Sequence, residues 1–339
     1  MSPTRPPSGR QGITFHRTAV SFLFSHSVML SSHTHRIPPP LPALTIEDNT
    51  AMVERAQQAQ MEARMAEAKS AGSKHFTVVG GGLAGALMAV ILRRRGFAVT
   101  VYERYDDLRT IPSAGRSINL VLTARGLQAL QGIGGSLLRD MHKMSTPVMG
   151  RVMHQVDGST TAQRYGKDDS EYNLSISRYE LNGYLLNKAK KAGVVFNFGH
   201  ALTNVDFFGG SQTETVLEFQ TGGREGPKHI VRVDGPVIGA DGAGSRIRNA
   251  LRDQGAIEYE DDFCVQGYKE ILFPLGKAIE GLDQNGLHIW PRDSHFIMGL
   301  ANLDGSFTGA IYVDAKVSHG EGRERENKGC CVCVVVCVV

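Results

Sequence analysis

Apolar and polar positions first settle into a regular pattern at His75. "HFTVV" (75–79) is a short, nearly continuous apolar run and predicts a buried strand. "ALMAVILRRRG" predicts a helix with a basic C-terminal end, and "FAVTVYE" (97–103) a second strand. Between first strand and helix lies "GGGLAG". Residues 76–103 therefore read strand, glycine turn, helix, strand, one βαβ unit. In "SISRYELNGYLLNKA" (175–189), Leu181, Leu185 and Leu186 recur at core spacing on a helix that Arg178 precedes. "TVLEFQ" (215–220) and "KHIVRVDG" (228–235) alternate like antiparallel strands. After Gln266 come "GYKEILFPL", "GLHIWPR", "HFIMGLAN" and "SFTGAIYVD", four strand-like runs at even spacing. They suggest a sheet domain following a nucleotide-binding one.

The flanks differ. Residues 1–46 carry Arg5, Arg10, Arg17 and Arg36, no Asp or Glu, and many hydroxyl residues. That composition resembles an organelle transit peptide; a disordered leader or a faulty gene model is the competing reading. Residues 51–71 are rich in helix formers with weak apolar spacing and read as a solvated helical linker. Beyond Asp314 the chain turns to polar low complexity and ends in "GCCVCVVVCVV". Cys330 and Cys333 have C-x-x-C spacing, but no second pair of ligands accompanies them, so a zinc site is not expected. The expected division is a leader and linker over 1–74, the folded part over 75–314 and a tail over 315–339.

Composition narrows the function classes. The 339 residues are 41% hydrophobic with a formal charge of +3, enough for a core and too little charge for a nucleic-acid surface. Only Cys264 lies outside the tail, so the folded part has no disulfide framework. No apolar run reaches the roughly 20 residues that a membrane-spanning helix needs.

Candidate chemistry begins at the turn. Gly80, Gly82 and Gly85 form G-x-G-x-x-G after a strand and before a helix, and Glu103 ends the next strand. Gly80 permits the sharp turn, Gly82 removes a Cβ from the path of a pyrophosphate, and Gly85 lets helix and strand approach closely. Phosphates then meet the free N–H groups at the positive end of the helix. An acid at the position of Glu103 binds ribose hydroxyls and favours FAD or NAD over the 2′-phosphate of NADP. A second block, "VIGADGAGSRIRNAL" (237–251), delivers Asp241 and Gly242 to a turn, with Ser245 placed to cap a helix. Taken with the glycine loop it resembles the Asp-Gly fingerprint of FAD-dependent aromatic hydroxylases, in which this segment lies near the FAD pyrophosphate. Arg178 matches an R-x-x-L element whose arginine reaches FAD in that superfamily.

Further stretches sharpen the resemblance. "AGRSINLVLTARGLQAL" (114–130), "RVMHQVDG" (151–158), "RYGKDDSEYNLSISR" (164–178) and "LHIWPRDSHFIMGLANLDGSF" (287–307) are similar to the kynurenine 3-monooxygenase family. The resemblance covers about 75–314. It implies an α/β fold with a Rossmann-like FAD-binding domain and an interleaved mixed β-sheet substrate domain. It also implies FAD- and NADPH-dependent hydroxylation of L-kynurenine to 3-hydroxykynurenine with O₂. Arg151 and Tyr165 match the pair that holds the substrate carboxylate. Cofactor contacts carry over to Gly80, Gly82, Ala84, Gly85, Tyr102, Glu103, Arg104, Tyr105, Arg116, Val121, Arg178, Leu202, Asp241 and Arg246. Asn119 is expected close to the flavin ring, whereas His288 and Trp290 are expected to pack. No catalytic side chain or metal is implied, because the flavin carries the chemistry. The family also has a Gly-Asp-Ala-Ala-His element after the last strand and a C-terminal anchor on the mitochondrial outer membrane. Neither follows Asp314 here, so an incomplete, truncated hydroxylase is expected. The alternatives are a non-enzymatic nucleotide-binding chain and a hydroxylase of another aromatic compound.

Overall fold

A computed structural model describes residues 74–111, 118–131, 133–134, 136–207, 214–223, 225–260, 266–275, 280–314 and 337–338. The leader, the linker helix, Arg116, Cys264 and the C-x-x-C pair lie outside them. In chain order the elements are β1 (His75–Val79), α1 (Leu83–Arg94), β2 (Ala98–Tyr102), β3 (Asn119–Leu122), α2 (Ala124–Gln131), α3 (Ser136–Lys143) and β4 (Ser145–Val148). Then follow β5 (Gly150–His154), β6 (Thr160–Arg164), β7 (Asn173–Ser177), α4 (Arg178–Lys191), β8 (Val195–Asn197), β9 (His200–Asp206), β10 (Thr215–Thr221) and β11 (Lys228–Val233). The last are β12 (Val237–Gly239), α5 (Arg246–Asp253), β13 (Gln266–Phe273), β14 (Gly286–Arg292), β15 (His295–Ala301), β16 (Phe307–Asp314) and β17 (Cys337–Val338).

The βαβ unit forms as its pattern predicts. β1 pairs in parallel with β2 and with β12, inside a sheet ordered β17-β12-β1-β2-β8. Both faces of this sheet are covered, which is why its strands read as apolar runs. On one face Val78 and Val101 join α1 and α4 through Ala86, Ala89, Val90, Leu181, Leu185 and Leu186. On the other, Val79 and Tyr102 pack with β9, β10 and α5 through Val205, Phe219, Ile247 and Leu251. The basic end of α1 is put to use: Arg93 donates to the carbonyl oxygens of Ala192 (2.9 Å) and Phe97 (2.7 Å), tying α1 to the end of α4.

The remaining strands form three further sheets, ordered β11-β10-β9, β3-β7-β4 and β13-β16-β15-β14-β5-β6. The six-stranded sheet contains all four runs read after Gln266. It also takes β5 and β6 from the middle of the chain, with β14 parallel to β5 and Leu287 opposite Arg151. The two halves are therefore interleaved, not consecutive. One stretch of the tail enters the fold: Cys337 and Val338 pair antiparallel with Gly239 and Ile238, at the edge of the parallel sheet. Among the described residues no helix is long and apolar enough to cross a membrane, and no cluster of metal-ligating side chains occurs.

Candidate cofactor and substrate site

The glycine loop is shaped by close backbone approaches. Gly80 has φ +105°, and its N–H donates to the Tyr102 carbonyl (2.8 Å). A Cβ there would lie 2.6 Å from the Ala240 carbonyl carbon and 2.9 Å from the Asp241 nitrogen. A Cβ on Gly85 would overlap the Gly80 carbonyl oxygen and sit 3.3 Å from the Ala240 Cβ. Gly82 is different: among the described residues nothing lies within 4 Å of where its Cβ would be. Gly82 is the N-cap of α1, and no side chain caps it. The first-turn N–H groups of Leu83 and Ala84 have no carbonyl partner within the helix. This is an anion cradle waiting for a charge the helix dipole favours.

Glu103 sits beside the cradle at the end of β2. One carboxylate oxygen accepts from the Gly81 N–H (2.5 Å), the other from the Tyr105 N–H (3.0 Å). An ionised carboxylate offers about four lone-pair positions, so each oxygen keeps capacity for a ribose hydroxyl. Gly81 was not singled out from sequence. A Cβ on it would press 3.1 Å from the Glu103 Cβ; the second glycine of "GGGLAG" is the available signal. Arg104 stacks over the Tyr105 ring at 4.5 Å, and both are exposed next to Glu103. Tyr102 goes the other way. Strand alternation turns its ring into the core, stacked on Phe219 at 4.5 Å, where burial raises its pKa. Its nearest link to the cradle is the main-chain carbonyl that Gly80 binds. Leu202 lies in the same cluster, opposite Phe219 on β9.

β12 brings the Asp-Gly turn against the glycine loop, with the Ala240 N–H donating to the Val79 carbonyl (2.7 Å). The Asp241 carboxylate is occupied at the start of α5. One oxygen accepts from the Ser245 hydroxyl (2.6 Å), the other from the N–H groups of Arg246 (2.6 Å) and Ile247 (3.3 Å). Ser245 accepts in turn from the Arg248 N–H (3.0 Å), the N-cap expected of it. Arg246, the arginine singled out from sequence, is exposed. Helix periodicity buries Arg248 instead, and its guanidinium donates to the Ala243 carbonyl (2.7 Å), bracing the turn. The Arg248 Nε is buried, with no hydrogen-bond partner among the described residues.

The substrate pair also comes together. The Arg151 guanidinium lies 5.7 Å from the centroid of the Tyr165 ring. Arg151 is exposed, while Tyr165 packs against the cluster of Val148, Leu287 and Leu300. Val121, expected at the cofactor, packs against the same cluster. The cofactor-side strand β3 and the sheet carrying Arg151 thus meet in one apolar patch. Arg178 opens α4, exposed, with its N–H on the Ile118 carbonyl (3.1 Å).

The opposite face of the six-stranded sheet is a packing face. His288 is 1% exposed, and its Nε2 donates to the Asp283 carbonyl (2.8 Å). A carbonyl only accepts, so in a neutral His288 the Nδ1 accepts from His154 Nε2 (2.8 Å). Trp290 stacks on His154 at 4.4 Å. Burial, and then the neighbouring His288, depress the His154 pKa. Arg292 donates to the His154 carbonyl (3.3 Å) and closes this side.

A parallel sheet, a glycine-lined anion cradle and a ribose-facing acid define a dinucleotide-binding protein. Residues 75–321 match the FAD binding domain family, and the chain belongs to it. Among curated proteins it is similar to the kynurenine 3-monooxygenase of Legionella pneumophila (strain Lens), 37% identical over 242 residues, 71% of this chain and 51% of that one. The kynurenine 3-monooxygenase of Flavobacterium johnsoniae is 38% identical over 243 residues, 71% of this chain and 52% of that one. The chain spans about half the length of the curated relatives it matches. Among solved structures, p-nitrophenol 4-monooxygenase PnpA from Pseudomonas putida DLL-E4 superposes with TM-score 0.59 at 17% identity, over 74% of this chain and 60% of that one. The tetrameric form of 2-methyl-3-hydroxypyridine-5-carboxylic acid oxygenase gives 0.56 at 21%, over 72% and 59%. At these identities the solved structures speak for the fold alone.

Proposed function

We propose that this chain forms the FAD-binding and substrate-holding part of a hydroxylase that converts L-kynurenine to 3-hydroxykynurenine with NADPH and O₂. The observation that carries the proposal is that Tyr165, with the Arg151 guanidinium 5.7 Å from its ring, packs with Val121 against one apolar cluster. The names and identities of the curated relatives support it.

The residues fit the adenosine end of FAD. Gly82 leaves room for the pyrophosphate, the N–H groups of Leu83 and Ala84 would donate to it, and Glu103 would accept from the ribose. A carboxylate at Glu103 would repel a 2′-phosphate, and the FAD binding domain family then selects FAD as the resident nucleotide, with NADPH as a transient reductant. FAD, when bound, supplies the reduction and oxygen-transfer chemistry. The protein's own part is recognition. The Arg151 guanidinium forks onto the amino-acid carboxylate in two parallel hydrogen bonds, and the Tyr165 hydroxyl adds a third donor. Leu287, Ile289 and Met298 provide an apolar wall that keeps water from the aromatic ring.

The test is purification of the full chain, a flavin absorbance spectrum and NADPH oxidation with and without L-kynurenine. Yellow protein whose NADPH oxidation rises with L-kynurenine, yielding 3-hydroxykynurenine, is expected. Arg151→Ala should raise the KM for L-kynurenine roughly tenfold or more at unchanged flavin content, from loss of a charge-assisted pair. Colourless protein, or an Arg151→Ala variant with wild-type KM, refutes the proposal. Flavin without product identifies a nucleotide-binding chain only.

A further inference from the structure

Cofactor side and substrate side are joined by polar side chains as well as by the apolar cluster. Asn119 lies on β3, two residues before Val121 and on the same face. Its Nδ2 donates to the Asn302 Oδ1 at 2.8 Å and lies within 3.5 Å of the Ala301 carbonyl. The carbonyl only accepts, which fixes this atom as the amide nitrogen and its Asn302 partner as the oxygen. Asn302 follows β15 directly, two residues after Leu300. Its own Nδ2 donates to the hydroxyls of Ser306 (2.8 Å) and Thr308 (3.1 Å), and its main-chain N–H donates to the Ser306 carbonyl (2.7 Å). Both polar ends of the Asn302 amide are thus engaged, and its orientation is set from β16. A saturated amide in a half-buried setting resists rotation, because turning it would face N–H against N–H.

We infer that Asn119 and Asn302 form a clasp that sets the spacing between β3 and the six-stranded sheet, making Asn302 a positioning residue for the Arg151–Tyr165 pair. The two asparagines are 183 residues apart in sequence, so neither serves a local turn through this bond. The clasp stands beside the cluster where Val121 and Leu300 pack with Tyr165. Losing it lets the sheet shift against β3 while the glycine loop, on a different sheet, is untouched. The consequence for substrate rests on the function proposed above; the clasp itself does not.

Two measurements on the full chain separate these points. The first is a double-mutant cycle on urea unfolding with Asn119→Ala, Asn302→Ala and both together. The double variant is expected to be little worse than the weaker single one, because each single change already breaks the shared bond. Additive losses overturn the clasp. The second compares FAD affinity with the KM for L-kynurenine. Asn302→Ala should raise KM roughly three- to tenfold, the range for one lost hydrogen bond, and leave FAD affinity within about twofold. Asn302→Asp should recover KM only in part, since a carboxylate oxygen still accepts from Asn119 and the Thr308 hydroxyl can donate, whereas the one proton of the Ser306 hydroxyl goes to Asp304 (2.6 Å). Unchanged KM in Asn302→Ala, or a loss of FAD affinity as large as the rise in KM, overturns the positioning role. If the wild-type protein ignores L-kynurenine, the proposed activity fails, and the clasp stands or falls on the cycle.

Discussion

The glycines of the cradle should separate into two kinds when each is changed to alanine. At Gly85 the new methyl group overlaps the Gly80 carbonyl oxygen and lies 3.0 Å from its carbon. The obstacle is backbone, held in place by the pairing of β1 with β2 and β12, so it cannot swing aside as a long side chain would. Overpacking of this kind costs about 1–3 kcal/mol. At Gly82 the methyl group enters space with none of the described residues within 4 Å, at an ordinary φ of −67°. Its cost to the ligand-free fold is the poorer N-cap preference of alanine, at most about 1 kcal/mol. The open space is where the pyrophosphate must come, so Gly82→Ala should weaken FAD by about tenfold or more, equivalent to about 1.4 kcal/mol. Urea unfolding of the ligand-free protein, followed by the fluorescence of the single tryptophan Trp290, reads the first quantity. Titration of flavin fluorescence reads the second. Gly85→Ala should shift the unfolding midpoint clearly and Gly82→Ala hardly at all, while Gly82→Ala loses FAD. The reasoning is refuted if Gly82→Ala destabilises the ligand-free fold as much as Gly85→Ala. Wild-type FAD affinity in Gly82→Ala refutes it as well, for phosphates would then sit elsewhere.

Two other perturbations follow from the same geometry. Asp241→Ala removes the acceptor for two main-chain N–H groups and the Ser245 hydroxyl, and should cost the ligand-free fold about 1–2 kcal/mol, read in the same unfolding assay; an unchanged midpoint would mean Ser245 alone caps α5. His154 has a folded pKa below the ordinary 6.5, from burial and from His288, so the unfolded chain takes up its proton first as pH falls. Its contribution is therefore complete above pH 6.5 and is lost as pH drops from there toward the depressed value. His154→Gln keeps an N–H for His288 without titrating, and should flatten the decline in stability just below pH 6.5; an identical pH profile would assign that decline to other groups.

Local order was legible and long-range pairing was not. The βαβ unit announced itself because β1 and β2 are apolar on both faces and the helix between them keeps its own period. The four late strands showed through their spacing. Which face each residue took was hidden in those same strands: an apolar run gives no sign that Val101 meets α1 while Tyr102 meets Phe219. Tyr102 therefore looked like a neighbour of the ribose acid and proved to be core. In "DGAGSRIR" the two arginines are indistinguishable by composition; the helix, once started at Arg246, turns the first outward and buries Arg248. Asp241 was read as a residue near phosphate, yet its oxygens are occupied by α5, which only its distance from Ser245 could have hinted. The parallel pairing of β5 with β14, and the bond from Asn119 to Asn302, join segments with no marker of their partner. Arg151 and Tyr165 were found by resemblance; periodicity alone would have left them as a surface arginine and a half-buried tyrosine.

The interleaving of the two halves imposes an order of assembly on the growing chain. Gly80 is wedged against Ala240, so the nucleotide cradle gains its back wall once synthesis has passed β12. The strand bearing Arg151 was made long before, but its inner neighbour β14 begins only at Gly286. At roughly 5–20 residues per second, the stretch between them occupies a ribosome for several seconds. Throughout that interval β5 has β6 on one side and an open edge on the other. The residues of the cradle are thus all made before the substrate sheet can close, and the connectivity alone sets that order.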